Sequence, residues 1–116
     1  MAEIFVFGSN LAGRHGAGSA AEARNNHGAI PGKGVGRQGY SYAIPTKGHH
    51  LEILHTTTIH NHVKDFLKHA EENWTDTFNV VAIGCGLAGF QPETIGPMFK
   101  GAPKNVKLPP EFESYR

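Results

Sequence analysis

The sequence predicts an α/β domain with a mixed, largely parallel sheet, and three observations lead there. Two short apolar runs, Ile4-Phe5-Val6-Phe7 and Phe78-Asn79-Val80-Val81-Ala82-Ile83, each end at a glycine, as strands covered on both faces do. Helix-prone segments alternate with these runs, the order that builds parallel sheets. The 116 residues suit one domain, 1–116, with a single modest core.

The first run is expected to be a strand that empties into the glycine-rich loop Gly8–Gly18. Ser19-Ala20-Ala21-Glu22-Ala23-Arg24 then reads as a helix, because alanine costs least to order in a helix, and Asn26-His27-Gly28 stops it. Residues 28–39 carry five glycines and Pro31, which predicts an irregular loop or a turn-linked pair of short extended pieces. Tyr40–Thr46 reads as a second strand with Pro45 near its exit or on an edge, and Leu51–Leu54 as a short extended piece.

Thr57 or Thr58 is the expected cap of the clearest helix. Its apolar stripe comprises Ile59, Val63, Phe66, Leu67, Ala70 and Trp74. Phe78–Ile83 follows as a strand. Pro92 then opens a helix that packs through Ile95, Met98 and Phe99. In the proline-rich tail only a short strand around Val106 is expected.

Hydrophobic content of 39% and charged content of 18% are those of a soluble globular protein. Fifteen glycines are close to twice the usual share, which points to loops where the backbone must turn or approach something closely. A net charge of +1 gives no field to gather nucleic acid, so nucleic acid is not an expected partner. The single cysteine excludes an intrachain disulfide and fits a reducing compartment. The first residues lack a basic, apolar leader pattern, and no segment has the ~20 apolar residues of a membrane span. A cytoplasmic protein without a membrane partner is therefore expected.

The two glycine segments, Gly8–Gly18 and Gly84–Gly89, carry the functional signal. Both follow strands, and in open α/β sheets ligands bind beyond the carboxyl ends of the strands. Phosphate needs several backbone N–H groups facing one concavity, with a helix N-terminus behind them. Gly13, Gly16 and Gly18 offer that bare backbone, and the following helix offers the dipole. A plain strand-to-helix turn is the alternative. The spacing matches neither a Walker A loop nor the dinucleotide fingerprint G-x-G-x-x-G, which disfavours an ordinary ATPase or nicotinamide dehydrogenase.

Other candidates carry two readings each. Asn10 either bonds a ribose hydroxyl or closes an Asx-turn. Lys47 either balances phosphate charge and takes part in catalysis, or is a solvated surface lysine. His15, inside the first loop, either bonds phosphate or lies exposed. Cys85 is either a reactive thiol or, as favoured here, a small residue packing behind the second loop. The eight histidines lack the spacing and partners of a metal site, so neither a metal nor another cofactor is expected.

These segments resemble the macro domains, α/β/α modules that bind ADP-ribose. The likeness rests on Phe5-Val6-Phe7-Gly8-Ser9-Asn10-Leu11, on Gly13–Gly18 leading into Ala20-Ala21-Glu22-Ala23, and on Ile83-Gly84-Cys85-Gly86-Leu87-Ala88-Gly89-Phe90. The last form is most similar to the branch holding the terminal ADP-ribose-protein glycohydrolase and an ADP-ribose-1″-phosphate phosphatase. The resemblance implies a compact, diverged macro-like domain whose ligand is ADP-ribose or a related phosphate-bearing nucleotide derivative. It implies that Asn10 borders the distal ribose and that Gly16, Gly18, Gly86, Leu87 and Ala88 give backbone to the diphosphate. Gly84, Cys85, Gly89 and Phe90 complete the second loop.

Lys47 sits at the branch's catalytic lysine, after one added residue, and with His15 is the candidate for catalysis. The branch's catalytic aspartate corresponds to Ala88 here, and the Gly-Asp-Ile segment that bonds adenine has no counterpart in this sequence. Hydrolysis of an ADP-ribose derivative and non-catalytic capture of a nucleotide signal are the two expected functions.

Overall fold

One sheet of five strands organises the protein, in the order β2-β3-β1-β4-β5, with every neighbouring pair parallel except β2 and β3. The computed structural model describes residues 1–116. Its strands are β1 (Glu3–Asn10), β2 (Gly36–Gln38), β3 (Ser41–Lys47), β4 (Thr77–Val80) and β5 (Val106–Lys107). Helices α1 (Gly18–Asn26), α2 (Thr56–Glu72), α3 (Pro92–Ile95) and α4 (Pro110–Glu113) connect and close them, with a 3-10 turn at Gly96–Phe99. This is the mixed, mostly parallel α/β arrangement that the alternating pattern predicts. No helix is long and apolar enough to cross a membrane.

β1 is central because it is apolar on both sides. Ile4 and Val6 enter the larger core, whereas Phe5 and Phe7 face the opposite way. The larger core joins α2, α3, the 3-10 turn and α4 to one face of the sheet through Phe66, Phe78, Phe99 and Phe112, all fully buried. Phe66 lies at its centre, 5.1 Å from the Tyr42 ring, 5.6 Å from Phe78 and 6.4 Å from Phe99 by ring centroids. Burial of such a ring contributes ~1.5–3 kcal/mol, so this face supplies most of the stability. The other face is thinner. α1 lays Ala20 and Ala23 on Phe7 and Ala43, small residues that let the helix lie close to the strands.

Chain direction reverses at β1. The connection through α1 leads from β1 to β3 on one side, and α2 leads back across β1 to β4 on the other. Right-handed crossovers in opposite directions put α1 and α2 on opposite faces, as found. A sheet that reverses in this way opens a crevice at the carboxyl end of the strand where it reverses.

Several elements differ from the sequence expectation. α2 begins at Thr56, and its cap is His55, whose Nδ1 accepts from the Thr57 N–H at 3.1 Å; neither expected threonine is the cap. Trp74 does not extend the apolar stripe. Asn73 caps the helix, and the indole beyond it is 75% exposed. β4 ends at Val80 rather than Ile83, because the chain leaves the ladder once its N–H groups bond locally, as from Ile83 to the Val81 carbonyl at 2.7 Å. Pro45 sits within β3, beyond the residues that pair with β2, so its missing N–H leaves no gap on that side. The tail forms α4 as well as β5, with Pro110 in its first turn. Leu51–Leu54 contributes only a bridge between Ile53 and Lys47.

Candidate functional site

The ends of β1 and β3, the start of α1 and the segment after β4 surround one cavity of about 700 Å³, within the usual range for a small-molecule site. Gly8, Ser9 and Asn10 line it from β1, and Thr46 and Lys47 from β3. Gly16, Ala17, Gly18 and Ser19 line it from the helix start, and Gly84 through Ala88 from the second loop. Both glycine segments therefore reach one crevice at the reversal of the sheet.

The backbone there is rich in unused donors. Ala17 caps α1 without a side-chain hydrogen bond, and the N–H groups of Gly18, Ser19 and Ala20 have no acceptor within the protein. In the second loop the N–H groups of Gly84, Gly86, Leu87 and Ala88 are likewise unbonded. Cys85 and Gly89 spend theirs on the carbonyls of Ala82 and Gly86, which holds the loop in its curve. Seven free N–H groups on cavity-lining residues, one set at the positive end of a helix, make a concavity suited to an anion.

Side chains add positive charge. Arg14 and Lys47 line the cavity, and neither has an ion-pair partner; the protein's two ion pairs, His27–Glu22 and Arg37–Asp76, lie elsewhere. Glu111, from α4, is the single carboxylate in the lining. Leu51 borders the cavity with a left-handed backbone, φ 63°, and Leu87 does so while 75% exposed.

A brace behind the first loop fixes its shape. Gly34 lies against the Asn10 carbonyl and accepts a hydrogen bond from Ser9 Oγ at its own carbonyl. Gly13, at φ 71°, lies against the Gly32–Lys33 backbone, and the Gly32 N–H donates to its carbonyl at 2.9 Å. A Cβ at either glycine would collide with main chain, so both are glycine for close approach. Buried Gln38 holds the brace itself, accepting from the Ile30 N–H at 2.7 Å and donating to the Lys33 carbonyl at 3.0 Å.

The expected site residues separate accordingly. Asn10, Gly16, Gly18, Lys47, Gly84, Cys85, Gly86, Leu87 and Ala88 line the cavity; Gly13, His15, Gly89 and Phe90 do not. His15 is neither exposed nor in the cavity. It is 2% exposed, meets Phe7 edge-on at 5.3 Å and donates from Nε2 to the Lys33 carbonyl at 3.0 Å. That carbonyl can only accept, so it fixes the Nε2–H tautomer and leaves Nδ1 buried without a partner.

Asn10 closes the loop with both ends of its amide: Oδ1 accepts from the Arg14 N–H at 2.9 Å, and Nδ2 donates to the Arg14 carbonyl at 3.0 Å. Cys85 is half-buried. Burial, with Glu111 and Glu93 nearby, pushes its thiol above the usual range, and Sγ donates to the Ile83 carbonyl at 3.6 Å. It is a neutral thiol rather than a nucleophilic thiolate.

Arg14 and Glu111 were not expected from the sequence. Arg14 stands beside His15 in the same loop, and a guanidinium in a phosphate loop is itself a signal. Pro110 before Glu-Phe-Glu is a helix-start signal that would have placed Glu111 on a fixed element.

Fold and cavity together define an α/β domain with an anion-suited crevice at the reversal of a parallel sheet. Comparison with protein-family models, with curated proteins and with solved structures finds no match.

Proposed function

We propose that the protein binds ADP-ribose or a related phosphate-bearing nucleotide derivative in this crevice. The observation that carries the reading is the set of unbonded N–H groups from α1 and the second loop on one cavity, with Arg14 and Lys47 unpaired beside them. Backbone donors of this kind suit a diphosphate, and a bidentate guanidinium or an ammonium offsets its charge. The macro-domain likeness of the two loops supplies the choice of ADP-ribose.

In its enzymatic form the reading has Lys47 stabilise charge while a water, positioned by the cradle, attacks a phosphate ester or a glycosidic bond. His15 takes no part, since it is buried behind the loop. Non-catalytic capture is the second form, and a specific observation favours it. Ala88 brings no proton-transferring group, and the Cys85 thiol stays protonated.

Calorimetry with ADP-ribose and phosphate release from ADP-ribose-1″-phosphate test both forms. Absence of binding refutes the reading. Binding without turnover assigns capture. In the enzymatic form, Lys47→Ala lowers turnover more than affinity, whereas equal losses reduce Lys47 to an electrostatic contact.

A further inference from the structure

We propose that Glu111 selects the uncharged, donor-rich end of the ligand, either a sugar diol or an exocyclic amine, at the side of the cavity away from the phosphate cradle. This rests on the phosphate-binding reading above. Glu111 is the one Asp or Glu in the cavity lining, and its carboxylate has neither an ion-pair partner nor a hydrogen bond in the protein. Its position is fixed from below. The next residue, Phe112, is fully buried and stacks on Phe99 at 5.5 Å, and the Phe112 N–H donates to the Pro109 carbonyl at 2.9 Å.

The fold separates this carboxylate from the cradle's helix. α4 belongs to the layer of the larger core, whereas α1 packs on the opposite face of the sheet through Ala20 and Ala23. The two therefore approach the cavity from opposite sides of the strand ends. A carboxylate repels phosphate, so the groups that satisfy Glu111 are O–H or N–H donors without negative charge. A cavity of about 700 Å³ has room beyond the phosphates for the part of the ligand that bears them. The ligand class is then bifunctional: anionic at one end and hydrogen-bond-donating at the other.

Calorimetry on the full chain tests this with two probes, ADP-ribose and inorganic pyrophosphate, on wild type, Glu111→Leu and the near-isosteric Glu111→Gln. Glu111→Leu is expected to weaken ADP-ribose about 10-fold, the effect of one lost charge-assisted hydrogen bond, while pyrophosphate affinity holds or tightens. Glu111→Gln, which keeps one acceptor oxygen, falls between. Equal losses for both probes, or no loss for either, overturn the proposal. Adenosine diphosphate, its 2′-deoxy form and inosine diphosphate separate the two donor sources. The penalty of Glu111→Leu disappears for the analogue lacking the group that Glu111 holds, and its persistence for both analogues also overturns the proposal. A wild-type protein that binds neither ADP-ribose nor pyrophosphate refutes the underlying reading, a result distinct from failure at Glu111.

Discussion

Gly86→Val separates occupation of the cradle from damage to the fold. Gly86 lines the cavity, its φ lies outside the left-handed region, and a Cβ built there meets no atom within 4 Å. Valine therefore fits the backbone and projects into open space, where a phosphate on the neighbouring N–H groups would otherwise lie. Without ligand, stability should stay within about 1 kcal/mol of wild type, and the lost glycine freedom even favours the folded state.

Binding should suffer far more. A hydrogen bond to a charged group is worth ~1.5–3 kcal/mol, so losing two costs at least about 3 kcal/mol, roughly 100-fold in Kd. The assay is thermal unfolding with ADP-ribose at ~100 times the wild-type Kd, a concentration that stabilises by about 2.7 kcal/mol. For a chain of 116 residues this raises Tm by about 10 °C. The same concentration only matches the Kd of the variant, which leaves a shift of about 2 °C. A variant that keeps the full shift refutes the two-loop cradle. One that melts much earlier without ligand refutes the claim of open space at Gly86.

Two further outcomes concern the scaffold. Gly13→Ala forces a Cβ into the Gly32–Lys33 backbone at a left-handed φ, and should cost about 3 kcal/mol, read as a Tm lowered by about 12 °C. Burial holds His69 below its ordinary value of 6.5, and Arg37 adds to this against the opposing pull of Glu72 and Asp76. The unfolded chain then takes up the proton first, so the stability is present above pH 6.5 and is lost as pH falls toward the lowered folded value. Tm should drop on acidification from about pH 7.5 to about pH 5.5. His69→Phe keeps the ring between Tyr42 and Phe78 but binds no proton, and so should flatten that drop.

The sequence conveyed the order of elements because apolar runs and alanine-rich stretches act locally. β1, α1, β3 and α2 owe their existence to such patterns. Their limits are decided otherwise. Val81 to Ile83 are as apolar as a strand, yet leave the sheet because the following loop must curve, and Trp74 keeps helical spacing after the helix has been capped.

At the site, glycine density marked both loops but did not reveal what each glycine faces. Gly16 and Gly86 open onto the cavity, whereas Gly13 meets the brace, and the two uses look alike in one dimension. His15 shows the same limit: its surroundings are set by Lys33, eighteen residues later. Glu111 reaches the cavity from a tail whose prolines read as irregular, because Phe112 docks in a distant core.

The brace at residues 30–36 has a consequence for kinetics. Hydrogen bonds from Ser9, His15 and Gln38 hold the first loop and its backing in place with no ligand bound. A cradle already in shape needs no ordering step when a ligand arrives, so association can run near the rate of productive encounter. Differences in affinity among nucleotide derivatives would then lie in how long each one stays.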